Sequence, residues 1–269
     1  MTVKPKPLPA VQPNAGLEIA FQRKLLALLQ EMHRSYVFWI KAAYREQSAK
    51  MATDASPAMA LREVMRKLGS RWTKKINEAA PDLASYFSKS VADRSDRALA
   101  TILRKAGIAI SWKMTRAMNN VVQASIGEQV ALITNIAEQY IAGIEGAVMR
   151  SVAAGRDLAT LTTSLEKSYG IAHRRAVLIA RDQNNKATAT MTKTRQIEVG
   201  AIAVWQHSHG GKEPRPEHVK WGKEKREYDP ATGMYSEVDK EYVWPGTPIN
   251  CRCRAKTLFP WMAESRRAA

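Results

Sequence analysis

Residues 180–206 read ARDQNNKATATMTKTRQIEVGAIAVWQ, and the character of the chain changes inside that stretch. Up to Val199 it continues a helix predicted to start near Ala172 and to pass through Val177, Ile179 and Ala180. A polar, threonine-rich half then stops at Gly200. Beyond it, glycines, prolines and aromatics alternate with charges, and residues 201–206 and 241–244 have the content of short strands. Asp229, Pro230, Ala231, Thr232 and Gly233 make a turn between two such strands. The reading is a mainly α chain with a small C-terminal α+β module: a body of long helices followed by a short hairpin and strand unit.

Upstream, Leu17, Phe21, Leu25, Leu28, Met32, Tyr36, Trp39 and Ala43 recur every three or four residues and predict one apolar face of a long helix. A break at 53–57 offers Asp54 or Ser56 as a cap, with Pro57 in the first turn of the next helix. Residues 59–77 then place Val64, Met65, Leu68, Trp72 and Ile76 on one side. Pro81 and Asp82 are expected to open a further helical stretch from Leu83 to about Gly155, punctuated by Gly107, Gly127, Gly143 and Gly146. Gly155, Arg156 and Asp157 read as a stop and a fresh N-cap for a short helix through Leu158, Leu161 and Leu165 that ends at Tyr169 and Gly170. Pro5, Pro7, Pro9 and Pro13 block helix and sheet ladder alike and predict a flexible arm. The expected segments are the arm (1–16), a basic helical body (17–155) and a C-terminal segment (156–269). The last divides into linking helices (156–200), a strand-rich part (201–258) and a tail (259–269).

At 269 residues and 45% hydrophobic content the chain can bury a sizeable core. Its net charge is +17, and residues 201–269 hold 12 Lys and Arg against 9 Asp and Glu, so +14 of it belongs to residues 1–200. Such an excess attracts polyanions without sequence preference, nucleic acid first and an acidic protein surface second. Lys67, Arg71, Lys74 and Lys75 fall on roughly one helical face and are the DNA-contact candidates, the alternative being an ordinary solvated face. No apolar run approaches the roughly 18 to 20 residues that cross a bilayer, and the first 16 residues lack an apolar centre, so neither membrane anchor nor signal peptide is expected. Cys251 and Cys253, one residue apart, are too close for an ordinary structural disulfide and point to a reducing compartment.

His207, His209 and His218 share the C-terminal module with both cysteines, and imidazole and thiolate are the ligands zinc prefers. Structural zinc sites usually take cysteines two to four residues apart. The single residue between these two is expected to send their side chains to opposite faces of a final strand. They are therefore read as small buried hydrophobes, and no metal or cofactor is assigned. His218, Cys251 and Asn250 supply the residue types of a cysteine nucleophile with its base and orienting group. No G-x-S-x-G elbow, phosphate-binding glycine loop, HExxH or paired acidic motif accompanies them, so no catalytic residue is assigned and the chain is read as a non-enzyme. Trp205, Trp221 and Trp244 are expected to form the small core of the module.

Taken in order, several motifs form a pattern: Ala180-Arg181-Asp182-Gln183-Asn184, the helix exit at Gly200, Val204-Trp205, Arg215-Pro216-Glu217-His218, Gly222, Pro245-Gly246 and Ile249-Asn250-Cys251-Arg252-Cys253-Arg254. It resembles the phage Mu F-like head morphogenesis domain. Members commonly carry an acidic residue before the arginine, where this chain has His209 to Glu213, and threonine and glutamate where Asp182 and Gln183 stand here. The motif residues are Arg181, Arg215, His218, Asn250, Cys251 and Cys253, and structural roles are expected for them. Arg215 and His218 would flank a turn, and the Asn250 amide would help lock the hairpin against the closing strand.

The resemblance implies a minor capsid (minor head) protein of the virion acting in head, or procapsid, morphogenesis. Its partner would be the portal protein, with scaffold or major capsid protein as further partners, and it would touch phage DNA without sequence preference during packaging or ejection. It would lie in the head interior near the portal after assembly in the host cytoplasm, with no membrane partner. Two other readings of the residues stay open: a zinc-stabilised nucleic-acid-binding module and a Cys/His-dependent enzyme.

Overall fold

A computed structural model describes residues 5–49, 57–154, 158–209 and 213–263. Four long helices come first: α1 (Ala15–Ala49), α2 (Pro57–Lys105), α3 (Arg116–Ala153) and α4 (Leu158–Glu198). The C-terminal part holds β1 (Ile202–Gln206), α5 (Pro216–Lys223), β2 (Glu227–Tyr228), β3 (Met234–Ser236), β4 (Glu241–Val243) and β5 (Arg254–Leu258), closed by a 3-10 turn (Pro260–Ala263). The fold is mainly α with a small antiparallel strand module at the C-terminus, as read from the sequence.

Local chemistry sets several helix ends. The Asn14 side-chain oxygen accepts from the Leu17 N–H at 2.9 Å and caps α1, with Glu18 in the first turn facing the positive end of the helix dipole. Thr115 caps α3 in the same way, accepting from the Met118 N–H at 3.1 Å. Gly107 and Gly200, at φ +85° and +62°, turn the chain out of α2 and α4. In each case the next residue's N–H reaches back five residues, Ile108 to Leu103 and Ala201 to Gln196, which uses carbonyls the helix would otherwise leave open.

Two expected breaks do not occur. Pro81 lies inside α2 rather than opening a new helix, and Gly170 lies inside α4 rather than ending one. Proline costs one helical hydrogen bond, but Ala80 and Ala84 beside it are fully buried, and that packing outweighs the lost bond. Gly170 follows Tyr169, whose ring stacks on His33 at 4.4 Å, so tertiary contact holds helical a residue that propensity would release. Pro57 does begin α2. The cap candidates Asp54 and Ser56 and the stop at Gly155, Arg156 and Asp157 lie outside the described residues.

Two compact units are assembled from non-contiguous segments. The helical unit comprises residues 19–85 and 127–180. Its core takes Phe21, Leu25, Leu29, Met32, Tyr36 and Ile40 from α1, Leu61, Met65, Leu68, Trp72 and Ile76 from α2, Ile133, Ile136, Tyr140 and Ile144 from α3, and Leu161, Leu165 and Ala176 from α4. The α1 stripe thus runs through Leu29 and Ile40, and Trp39, expected on it, is 47% exposed. At 3.6 residues per turn, i+3 and i+4 are equally near the stripe, and the neighbouring helices decide between them. Polar groups enter this core too: Gln129 and Ser151 are buried, and His33 pairs with the Tyr140 hydroxyl at 2.7 Å and with Glu166 at 3.2 Å.

The mixed unit comprises residues up to 18, 86–126 and 181 onward. Here the proline-rich segment is not the flexible arm it was expected to be. Leu8 N–H donates to the Thr257 carbonyl at 2.8 Å, Arg254 Nε donates to the Gln12 side chain at 2.5 Å, and Ala10 and Val11 are buried. Proline forbids helix but tolerates an extended path, and the non-proline residues between supply the donors. β1 is the centre of a three-stranded antiparallel sheet, order β2-β1-β5, with Ala203 opposite both Tyr228 and Thr257. β3 and β4 form a separate hairpin pairing Tyr235 with Tyr242. Ala203, Val204 and Trp205 are all buried, so the middle strand is covered on both faces.

The threonine-rich half of α4 is not a solvent face. Gln183, Asn184, Thr188, Thr192, Thr194, Arg195 and Gln196 are buried. Gln196 Nε2 donates to Thr257 Oγ1 at 3.0 Å, and Asn184 Nδ2 to the Asn14 carbonyl at 3.1 Å. Arg195, only 2% exposed, grips Asp96 of α2 through two hydrogen bonds of 2.8 and 2.6 Å, Glu198 at 2.6 Å and the Lys113 carbonyl at 3.1 Å, and its guanidinium lies over the Trp112 ring. Nothing in the sequence reading singled out this arginine.

Candidate functional site

The Arg215-Pro216-Glu217-His218 run is the start of a helix, not a turn. Proline at the first helical position sacrifices an N–H that the helix leaves unused, and α5 follows from it. Three residues apart, His218 and Trp221 fall on one face of α5 and are buried, their rings stacked at 5.5 Å. Trp205 of β1 packs edge-on against both, at 4.8 Å from His218 and 4.7 Å from Trp221. Trp205, Trp221, Tyr228, Val243, Cys251 and Cys253 form the buried cluster, with Trp244 half-buried against it.

The approach of α5 to β1 requires Gly222. A Cβ there would stand 2.3 Å from the Cβ of His207 and 2.8 Å from its backbone nitrogen, an impossible contact with a fixed strand end. Gly246 is needed for a different reason. Its φ of +92° disfavours any side chain, and a Cβ would press on Ala189 of α4 and on the Cys253 carbonyl.

The closing strap is built the same way. Arg215 donates twice to the Ile249 carbonyl, at 3.3 and 3.4 Å, and the Asn250 N–H donates to Asp182 of α4 at 2.5 Å. Asn250 itself takes φ +59°, a left-handed conformation asparagine tolerates better than most residues. Asn250 therefore works through its backbone conformation and its N–H. From this turn the chain presents Cys251 and Cys253 inward, at 4% and 5% exposure, with β5 beginning only at Arg254. The expectation that one intervening residue would part the two thiols is corrected. An extended chain alternates with period two, so residues two apart share a face.

His218, Cys251 and Cys253 consequently meet. His218 Nδ1 is 3.5 Å from the Cys251 sulfur and 3.8 Å from the Cys253 sulfur, and all three ligand atoms lie within 4.8 Å of one another. The Gly246 N–H donates to the Cys251 sulfur at 3.4 Å. The contact with Cys253, helped by His218 and the Gly246 N–H, holds the Cys251 thiol well below its ordinary range against burial. The same contact, now reinforced by burial, pushes Cys253 up. His218 Nε2 is buried with no hydrogen-bond partner among the described residues.

The other two zinc candidates lie elsewhere. His207 and His209, rings 5.2 Å apart, line a cleft of about 590 Å³ together with Lys6, Lys223, Lys225 and Lys256. Burial, then the neighbouring imidazoles, push His207 below the usual histidine range. Among the described residues, no acidic side chain lines the cleft.

Arg181 sits half-buried on α4, and among the described residues no hydrogen bond or ion pair joins it to the sulfur centre. Of the α2 cations, Lys67, Arg71 and Lys74 are exposed and Lys75 half-buried. Lys67 pairs with Glu63 at 3.5 Å, and Lys75 pairs with Glu31 beside the Trp72 ring. Two residues stand in the quoted motifs without a role assigned to them from the sequence, and both do clear structural work. Glu217 accepts from Ser236 Oγ at 2.7 Å and from the Glu237 N–H at 2.9 Å, which ties the β3–β4 hairpin to α5, and Arg254 holds the N-terminal segment. A carboxylate in the first turn of a proline-started helix was the available signal for Glu217.

Residues 142–256 match the family described as Phage Mu protein F like protein, which bears out the resemblance over the C-terminal part of the chain. The chain is also 26% identical over 204 residues to a Haemophilus influenzae protein described as uncharacterized. That alignment covers 74% of this chain and 43% of the relative, so the chain spans less than half of that relative's length. No solved structure matches. Among the described residues, no helix is long and apolar enough to cross a membrane.

Proposed function

We propose that this chain is a minor head protein that acts in head morphogenesis at the portal vertex and touches DNA without sequence preference during packaging or ejection. The observation that carries the reading is the match of residues 142–256 to the phage Mu F-like family, in which the Arg215–His218 and Asn250–Arg254 motifs converge on one buried centre. The centre has the character of a structural lock. Its groups are 3–5% exposed and packed among tryptophans.

The charge distribution supports the DNA contact. Among the described residues the cleft presents four lysines and no carboxylate, and Lys67, Arg71 and Lys74 add exposed positive charge on α2. Phosphates met by such groups bind through counterion release, which carries no sequence information. The test of the assembly role is co-purification of the full chain with the portal protein of the same genome, read by native mass. A stable complex supports the role, and two separate species would remove it. For the DNA contact, affinity of the full chain for random duplex should fall by about a thousandfold between roughly 50 and 200 mM salt if six or so phosphates are engaged. Binding that persists at the higher salt, or that selects one sequence, would refute this reading.

A further inference from the structure

We propose that His218 Nδ1 and the sulfurs of Cys251 and Cys253 hold a zinc ion, a structural metal centre that fastens α5 to the closing strap of the module. The argument begins with ligand chemistry. Two sulfurs and one imidazole nitrogen are the donor set zinc prefers, and the three atoms converge from two segments 33 residues apart in sequence, all of them buried.

Distance supports the same assignment. A tetrahedral ion with Zn–S of about 2.3 Å and Zn–N of about 2.05 Å has S···N edges of about 3.6 Å. The two S···N separations are 3.5 and 3.8 Å. A single imidazole nitrogen has one in-plane site and makes one good hydrogen bond, yet it stands at nearly equal distance from two sulfurs. An ion between them satisfies both. The Gly246 N–H aimed at the Cys251 sulfur is the kind of outer hydrogen bond that orients a metal-bound thiolate.

The charge balances. Zinc with two thiolates and a neutral imidazole is uncharged, which suits a site walled by Trp205 and Trp221, and binding sends the protons still on the sulfurs to solvent. His218, Cys251 and Cys253 fill three of the four tetrahedral positions that zinc takes. His207 and His209 remain outside the coordination sphere, on the cleft.

The test uses the full chain, expressed with zinc and purified under reducing conditions without chelator. One zinc per chain is expected to survive gel filtration. Replacement by cobalt should give the intense visible bands of a tetrahedral site and a sulfur-to-cobalt charge-transfer band. Stripping the metal should lower Tm by about 5 °C or more, restored by zinc and not by magnesium. Cys251→Ser and Cys253→Ser should each weaken zinc binding by more than about a hundredfold, while His207→Ala and His209→Ala keep the full equivalent. Should the serine variants fail to fold, the cobalt spectrum and the metal-dependent Tm of the unaltered chain decide alone. No retained zinc with a metal-insensitive Tm, weak octahedral cobalt bands, a Cys251–Cys253 disulfide in the reduced preparation, or loss of zinc in the His207 or His209 variants would each overturn the assignment.

Discussion

The helical unit and the mixed unit are held together by different means. Residues 19–85 and 127–180 share a core made mostly of apolar side chains on four helices, with Gln129, Ser151 and His33 with its Tyr140 and Glu166 partners as polar insertions. The unit formed by residues up to 18, 86–126 and 181 onward relies on named polar links. These include Arg195 with Asp96 and Glu198, Gln196 with Thr257, Asn184 with Asn14, and Glu217 with Ser236, set around two small apolar clusters. A large apolar core tolerates imprecision, because burial is non-directional and scales with area. A unit tied by buried charge and hydrogen bonds does not, since each unmade bond leaves a desolvated group behind.

The sharpest way to break the contrast is at Arg195. Arg195→Ala leaves Asp96 and Glu198 without their shared partner and should cost about 3–5 kcal/mol in denaturant unfolding, with faster amide exchange concentrated in the mixed unit. A cost of under about 1 kcal/mol, as for a surface ion pair, would remove the distinction between the two units. Leu161→Ala in the helical unit, where the side chain is fully buried, should cost about 3 kcal/mol, with exchange rising in residues 19–85 and 127–180. If exchange rose equally in both units, the two would be one cooperative body and the comparison would need redrawing. The smallest effect is expected from Glu217→Ala. It removes two partly exposed hydrogen bonds and should cost about 1 kcal/mol, loosening the β3–β4 hairpin while the sheet stays protected.

The centre at His218 shows where sequence reading stops. Its members were all named from motif and residue type, and the cluster of Trp205 and Trp221 around them followed from their size. The arrangement differs from the expectation because residues two apart share a face of an extended chain, and β5 begins only at Arg254, after both cysteines. The strain at Asn250, the close approach at Gly222 and the anchoring of Glu217 depend on partners far along the chain, which no local window contains.

By itself the sequence determined what repeats locally. The 3.6-residue apolar stripes of the long helices, the exit at Gly200, the strand character of residues 202–206 and the turn at Gly233 are legible because each rests on neighbours within a few residues. Tertiary structure alone decided the rest. It kept Pro81 and Gly170 helical, laid the proline-rich segment against β5, buried the polar half of α4, joined Arg195 to an aspartate 99 residues away and gathered two cysteines and a histidine into one site. The physical reason is the same throughout. Backbone propensities are worth around one kcal/mol per residue, whereas burial and buried hydrogen bonds made between distant segments are worth several, and their partners are set by the fold and not by spacing along the chain.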